Sequence, residues 1–198
     1  MNRREFFDRH AHGWNSEAAA RGGADLGRVV KEACLAEGSF VLDIGTGTGV
    51  LVPHILREIG AQGRLLALDV SGEMLREART QFRAGSVLFV HADVHHLCAK
   101  DTSFDCVICN AAFPHFEDRA LSLREMNRVL RRGGMLVISH PIGREAVNAR
   151  HRAAGGPVGE DRVPSPEVMS RLLAASGIAE VAVIDEPEFY LARGRKRG

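Results

Sequence analysis

The stretch Phe40-Val41-Leu42-Asp43-Ile44-Gly45-Thr46-Gly47-Thr48-Gly49 decides how this chain folds. Five residues, apolar but for one acid, run straight into three glycines at alternate positions. A short apolar run of this kind reads as a buried strand. The glycines mark a tight turn whose backbone a ligand can approach closely. The turn opens a helix predicted over Gly49 to Ile59 and closed by Gly60. Leu65-Leu66-Ala67-Leu68-Asp69-Val70 is a second strand, after which Ser71 caps a helix with Glu73 in its first turn and Met74, Leu75, Ala78 and Phe82 on one face. Val87 to Val90, Cys106 to Cys109 and Met135 to Ile138 repeat the pattern. A short helical turn falls near His95 to Ala99, and a helix over Arg119 to Leu130 is expected to stop at Gly133-Gly134. Strands apolar on both faces and alternating with helices mean a parallel sheet covered on both sides. Beyond Ser139 the rhythm breaks. His140 to Pro164 holds no strand, only a short helix over Arg144 to Arg152. Ser165 then caps a helix with Pro166 at its first position. Val181 to Ile184 and Phe189 to Ala192 form a hairpin that ends the sheet on an antiparallel edge. The basic tail Arg193 to Gly198 is expected to be merely solvated.

Composition narrows the function classes. The 198 residues suffice for one domain with a core of its own. Lys and Arg number 26 against 25 Asp and Glu, a net charge of +1, so no global field draws the chain to nucleic acid or an anionic membrane. No apolar run is long enough for a membrane span. Arg3-Arg4 opens like a twin-arginine signal, but Glu5 and Asp8 follow where apolar residues are required. A soluble cytoplasmic domain is expected, its oligomeric state unread. Cys106 and Cys109 have zinc-ligand spacing, yet on a strand residues i and i+3 point to opposite faces, so both are expected to be core thiols.

The glycine turn fits neither common phosphate-binding pattern. G-x-G-x-x-G fails because Val50 and Val52 stand where a third glycine is needed, and no Gly-Lys-Ser/Thr is present. What remains is D-x-G-x-G-x-G with Asp69 at the end of the next strand, where a carboxylate can accept both hydroxyls of a ribose. With these residues the sequence resembles the class I S-adenosylmethionine-dependent methyltransferases, in particular the small-molecule branch that includes the ubiquinone/menaquinone-biosynthesis enzymes. Val41 to Gly49 resembles the family's first motif, Leu68 to Leu75 its second and His91-Ala92-Asp93-Val94 its third. Phe104 to Val107 and Arg128 to Gly134 resemble its later signatures. The resemblance runs from about Phe40 to Ser139 and in weaker form to the C-terminus.

It implies a Rossmann-like, mostly parallel seven-stranded sheet in a single domain. Residues 1–36 would be lid helices, 37–139 the cofactor-binding core, 140–164 a substrate-side insert and 165–198 the C-terminal helix and hairpin. It implies S-adenosylmethionine as cofactor, held by Asp43, Gly45, Thr46, Gly47, Gly49, Asp69, Val70, Met74, Asp93, Val94 and Asn110. Asp69 would take the ribose, Val70 flank the adenine and Asp93 lie near its amino group. Asn110-Ala111-Ala112-Phe113 lacks the two prolines of the nucleic-acid amino-methylating signature. A small-molecule acceptor is therefore expected, with nucleic acid and membrane set aside as partners. His115 and His140 are candidate bases, since imidazole titrates near neutral pH. Trp14, Phe113, His115, His10 and His151 are candidate substrate contacts. His10, His12, His115, His140 and His151 are all placed to converge on one pocket, but no metal-ligand spacing links them and no metal is assigned. An RNA- or protein-directed methyltransferase and a non-catalytic cofactor-binding protein stay open as alternatives.

Overall fold

The computed structural model describes residues 1–14, 26–82, 85 and 87–198. Seven strands form one sheet: β1 Phe40–Ile44, β2 Arg64–Asp69, β3 Val87–His91, β4 Phe104–Asn110, β5 Leu130–His140, β6 Ile178–Glu186 and β7 Phe189–Lys196. Their spatial order is β3-β2-β1-β4-β5-β7-β6. β1 to β5 pair in parallel, and β7 slots antiparallel between β5 and β6. The helices are α1 Arg3–His10, α2 Leu26–Glu32, α3 Val52–Ile59, α4 Gly72–Gln81, α5 Arg119–Val129, α6 Arg144–Ala154 and α7 Pro166–Ala175. The predicted parallel core and antiparallel edge are both present. Part of the expected N-terminal lid, residues 15–25, lies outside the described residues.

Because β4 is covered on both sides, its alternate side chains feed two separate cores. Cys106 packs with Val41, Ile55 and Val137 on one face, and Cys109 with Leu42, Leu136 and Ile138 on the other. The two thiols thus never share a side, as the period of two requires. Each fully buried Leu or Ile in these layers contributes about 1.5–3 kcal/mol.

Three local expectations are corrected. α3 begins at Val52 rather than Gly49, because Gly47 and Gly49 take left-handed φ values of +57° and +84° that no right-handed helix accommodates. Gly133 and Gly134 do not stop α5: the helix ends at Val129, Leu130 is already extended, and the glycines lie inside β5. There the β4–β5 register shifts between Phe104 and Cys106, and Gly133 absorbs the bulge at φ +71°. A Cβ on Gly134 would sit 2.8 Å from the Arg131 carbonyl oxygen. The basic tail is not merely solvated. Arg193 to Lys196 belong to β7, the Arg193 guanidinium pairs with Glu32 at 3.4 Å, and the Lys196 ammonium donates to the carbonyls of Asn127, Arg128 and Leu130 at 2.7–3.2 Å.

Candidate active site

The strand order reverses at β1, whose neighbours β2 and β4 lead away on either side, and such a switch point opens a crevice beyond the carboxyl ends of the strands. A cavity of about 340 Å³ occupies it. Two turns build its floor. After β1, Gly45 and Thr46 donate their N–H groups to the Leu68 carbonyl at 2.9 and 3.0 Å, folding the glycine turn over the end of β2. After β4, Ala111 adopts φ +56° and brings Ala112 against Gly45 so closely that a Cβ there would lie 2.3 Å from that of Ala112. Above Gly47 the space is open.

Two acids line this end. Asp69 is buried; its Oδ2 accepts from the Gly47 N–H and its Oδ1 from the Ser71 N–H, both at 2.8 Å. Burial pushes its carboxyl upward, against the pull of those hydrogen bonds. Asp43 is 1% exposed, and its Oδ2 has no partner among the described residues. Burial pushes Asp43 up to about 7, opposed by the neighbouring Thr46 hydroxyl and helped by the Asp69 charge. Met74 and Val94 form buried wall, Val70 projects from the rim, and the Asn110 side-chain carbonyl accepts from the Ser139 hydroxyl at 2.9 Å. Asp93 is half-exposed at the mouth. Burial works against its charge, but hydrogen bonds from the His95 N–H (2.9 Å) and ring (2.6 Å) prevail and hold it low.

The opposite end is roofed by α1 and lined by Arg3, Arg4, Phe7, Trp14, His115, Phe116 and Glu117. α1 starts on a reciprocal cap: the Asn2 side chain accepts from the Glu5 N–H at 2.9 Å while the Glu5 carboxylate accepts from the Asn2 N–H at 3.1 Å. Two ties hold it down. Asp8 accepts the Ser71 hydroxyl at 2.6 Å, joining α1 to the cap of α4. Arg3 donates to Asp161 at 2.6 Å, joining it to the insert after β5.

Asp161 gathers this end together, and the sequence reading did not name it. Its side chain is 3% exposed, and its Oδ2 lies 2.7 Å from Nδ1 of His115. Burial opposes its charge, but the hydrogen bonds from His115 and Arg3 outweigh that and hold the carboxyl at about 2. Nδ1 of His151 lies 3.0 Å from the Asp161 main-chain carbonyl, and its ring packs 4.8 Å from that of His115. The acid-basic run Glu160-Asp161-Arg162 was visible in the sequence, but nothing there linked it to His115, 46 residues away.

The remaining predicted contacts lie elsewhere. Phe113 is fully buried in the core, with Phe116 edge-on at 5.8 Å, not on the cavity wall. His140 is also buried, its Nε2 without a partner; burial pushes it down to about 3, with the His115 and His151 charges adding. His10 stacks on Phe6 at 4.3 Å and bonds its own helix backbone, while the His12 side chain is 97% exposed beside Glu77. The five imidazoles therefore do not converge, and no metal-ligand group occurs among the described residues.

The chain matches a protein-family model described as a methyltransferase domain over residues 42–138. A ubiquinone/menaquinone biosynthesis C-methyltransferase (UbiE) from Hahella chejuensis is 37% identical over 105 residues, 51% of this chain and 42% of that protein. The chain thus spans less than half the length of that curated relative. A SAM-dependent methyltransferase from Aquifex aeolicus superposes with a TM-score of 0.72 at 26% identity, over 86% of this chain and 88% of the other. A chain from the complex between the Haloferax volcanii Trm112 methyltransferase activator and a methyltransferase superposes at 0.82, over 97% of this chain and 98% of that one, with 21% identity. At that identity the likeness speaks for the fold. With the glycine turn, the acid ending β2 and the seven-stranded sheet in place, residues 42–138 form a methyltransferase domain, and these likenesses support a class I S-adenosylmethionine-dependent methyltransferase.

Proposed function

We propose that the chain transfers a methyl group from S-adenosylmethionine to a small molecule held under α1. The observation that carries this reading is the continuity of one cavity from Gly47 and Asp69 to the aromatic end at Phe7, Trp14 and Phe116. The cofactor end fits its ligand chemically. Asp43 Oδ2 is buried and unpartnered, an arrangement that is costly unless a donor or cation arrives. The open space over Gly47 admits a ligand against the backbone, and Asp69 would accept the ribose hydroxyls. Val70, Met74 and Val94 supply apolar surface for the adenine, with Asp93 beside it. When bound, S-adenosylmethionine supplies a methyl already activated by its sulfonium. The chain's own residues then position the acceptor and exclude water.

Two features favour a small acceptor. The roof formed by α1 is tied down at both ends, through Asp8 and Arg3. The net charge of +1 offers phosphate backbones little attraction. Among the described residues no helix is long and apolar enough to cross a membrane. Four unpaired thiols suit the reducing cytoplasm, where we place the reaction.

Thermal melting tests the reading. S-adenosylhomocysteine at about 100 times its Kd should stabilise the fold by about 2.7 kcal/mol, about 5–10 °C in Tm for a chain of this size. NADH should give no shift, and Asp69→Ala should abolish that of S-adenosylhomocysteine. A wild-type chain unmoved by S-adenosylmethionine and S-adenosylhomocysteine alike refutes it. Radiolabelled methyl transfer to a panel of small phenols, quinols and amines, beside an RNA arm, then separates the acceptor classes.

A further inference from the structure

We propose that His115 is the general base of the acceptor end, positioned by Asp161, and that the acceptor is a planar molecule methylated on an acidic hydroxyl, a phenol or an enol. The inference rests on the methyl-transfer reading and adds the acceptor's chemistry to it.

The geometry fixes one tautomer. A carboxylate only accepts, so at 2.7 Å from Asp161 Oδ2 the neutral ring must carry its proton on Nδ1. The lone pair is then on Nε2, the nitrogen left to the cavity that His115 lines. Asp161 cannot swing away, because Arg3 holds Oδ1 at 2.6 Å and approaches Oδ2 at 3.3 Å. The nearly fully buried Asp161 carboxylate lies behind His115, where its pairing with Arg3 offsets the cost of desolvation and leaves Oδ2 to orient the imidazole.

The neighbours suit the same role. The charged and titratable groups around the pair are Arg3 from α1, Arg119 from α5, His140 from β5, His151 from α6, Arg162, which donates to the Asp161 main-chain carbonyl at 2.8 Å, and Glu117, which lies 3.9 Å from Arg3. His140 and His151 are both pushed down, first by burial and then by the neighbouring His115, which favours their neutral forms when a proton sits on His115. The Phe7 ring stands edge-on to His115 at 5.0 Å, and Trp14 and Phe116 complete an aromatic wall suited to a planar ring. In the step proposed, the acceptor O–H bond breaks and its electron pair stays on oxygen. A new N–H bond forms at Nε2. The imidazolium, stabilised by Asp161, later releases the proton to water. Phenolic hydroxyls ionise near 10, within reach of an imidazole, whereas simple alcohols lie far above it.

The probe is 4-nitrophenol, whose phenolate is yellow, mixed with the protein saturated with S-adenosylhomocysteine at a pH where free probe is mostly protonated. The wild type should bind it as phenolate, raising the yellow band. His115→Gln should lose that band, and Asp161→Asn should lose most of it. Each variant should keep its thermal shift with S-adenosylhomocysteine, which shows that fold and cofactor end are intact. Absence of the band in the wild type, or its persistence in His115→Gln, overturns the proposal. Loss of the S-adenosylhomocysteine shift in the wild type would instead sink the cofactor reading beneath it.

Discussion

Asp43→Asn should make the ligand-free protein more stable, and increasingly so as pH rises. Asp43, the penultimate residue of its strand, is 1% exposed, with one carboxylate oxygen unpartnered and Asp69 close by. In the unfolded chain its carboxyl ionises near 3.8; in the fold burial moves this to about 7. Between those values the folded state keeps a proton that the unfolded state has lost. Stability contributed by this group is thus complete below about pH 4 and falls away as pH climbs through about 7. Each decade costs about 1.4 kcal/mol. Between about pH 5 and about pH 8, two of those decades are crossed, so the wild type should lose about 3 kcal/mol relative to Asp43→Asn. His140 works the other way. Its folded value is depressed from 6.5 to about 3, so its contribution is present above 6.5 and lost as pH falls toward 3. Both proteins share that contribution, which cancels in the difference. Urea unfolding at the two pH values reads the effect directly, provided the m-values agree. A stability difference between the two proteins that stays constant to within about 0.5 kcal/mol across that range refutes the reasoning. Calorimetry adds a second arm: wild-type affinity for S-adenosylmethionine should rise with pH through about 7, and that of the variant should be weaker and flat.

Gly45→Ala should cost about 2–4 kcal/mol, since its Cβ meets that of Ala112 at 2.3 Å on a left-handed backbone. Adding Ala112→Gly should restore about half of it in urea unfolding. Gly47→Ala, with open space above it, should cost only about 1–2 kcal/mol. Ser71→Ala removes both the cap of α4, donated to by the Met74 N–H at 3.1 Å, and the tie to Asp8. It should cost about 1–2 kcal/mol and hasten proteolytic cleavage in α1. His140→Leu removes a buried nitrogen that has no partner. It should leave stability at neutral pH unchanged or raise it by about 1 kcal/mol, with S-adenosylhomocysteine binding intact.

The parallel core and the cofactor end were legible because both depend on local signals. Short apolar runs and period-3.6 patterns set β1 to β5 and their helices, and the glycine turn and Asp69 follow within one βαβ unit. Gly133-Gly134 was misread because a glycine pair after a helix carries the same signal whether it ends the helix or bulges the next strand. Only pairing with β4 distinguishes the two, and that pairing is tertiary. The basic tail was misread for a related reason: Lys196 finds its carbonyl partners at the end of α5, 66 to 69 residues away. Phe113 and His115 sit two residues apart on one turn, yet one enters the core and the other lines the cavity. Sequence spacing alone carries no information on which does which.

The acceptor end is assembled differently from the cofactor end, and this bears on how its chemistry should be read. Arg3 and Asp161 meet across 158 residues of chain, closing a roof from a helix before β1 and an insert after β5. The methyltransferase model matches residues 42–138. That range contains the glycine turn, Asp69 and His115, but not Arg3, Phe7, Trp14, His151 or Asp161. Likeness to the methyltransferase domain is therefore concentrated where the cofactor binds. The groups that would orient the base and shape the acceptor lie outside it. Two relatives sharing the cofactor half can carry different partners at the positions of Arg3 and Asp161, and with them a different acceptor. The acceptor of this chain is thus better argued from the His115–Asp161 pair and the aromatic wall than from the substrate of any relative.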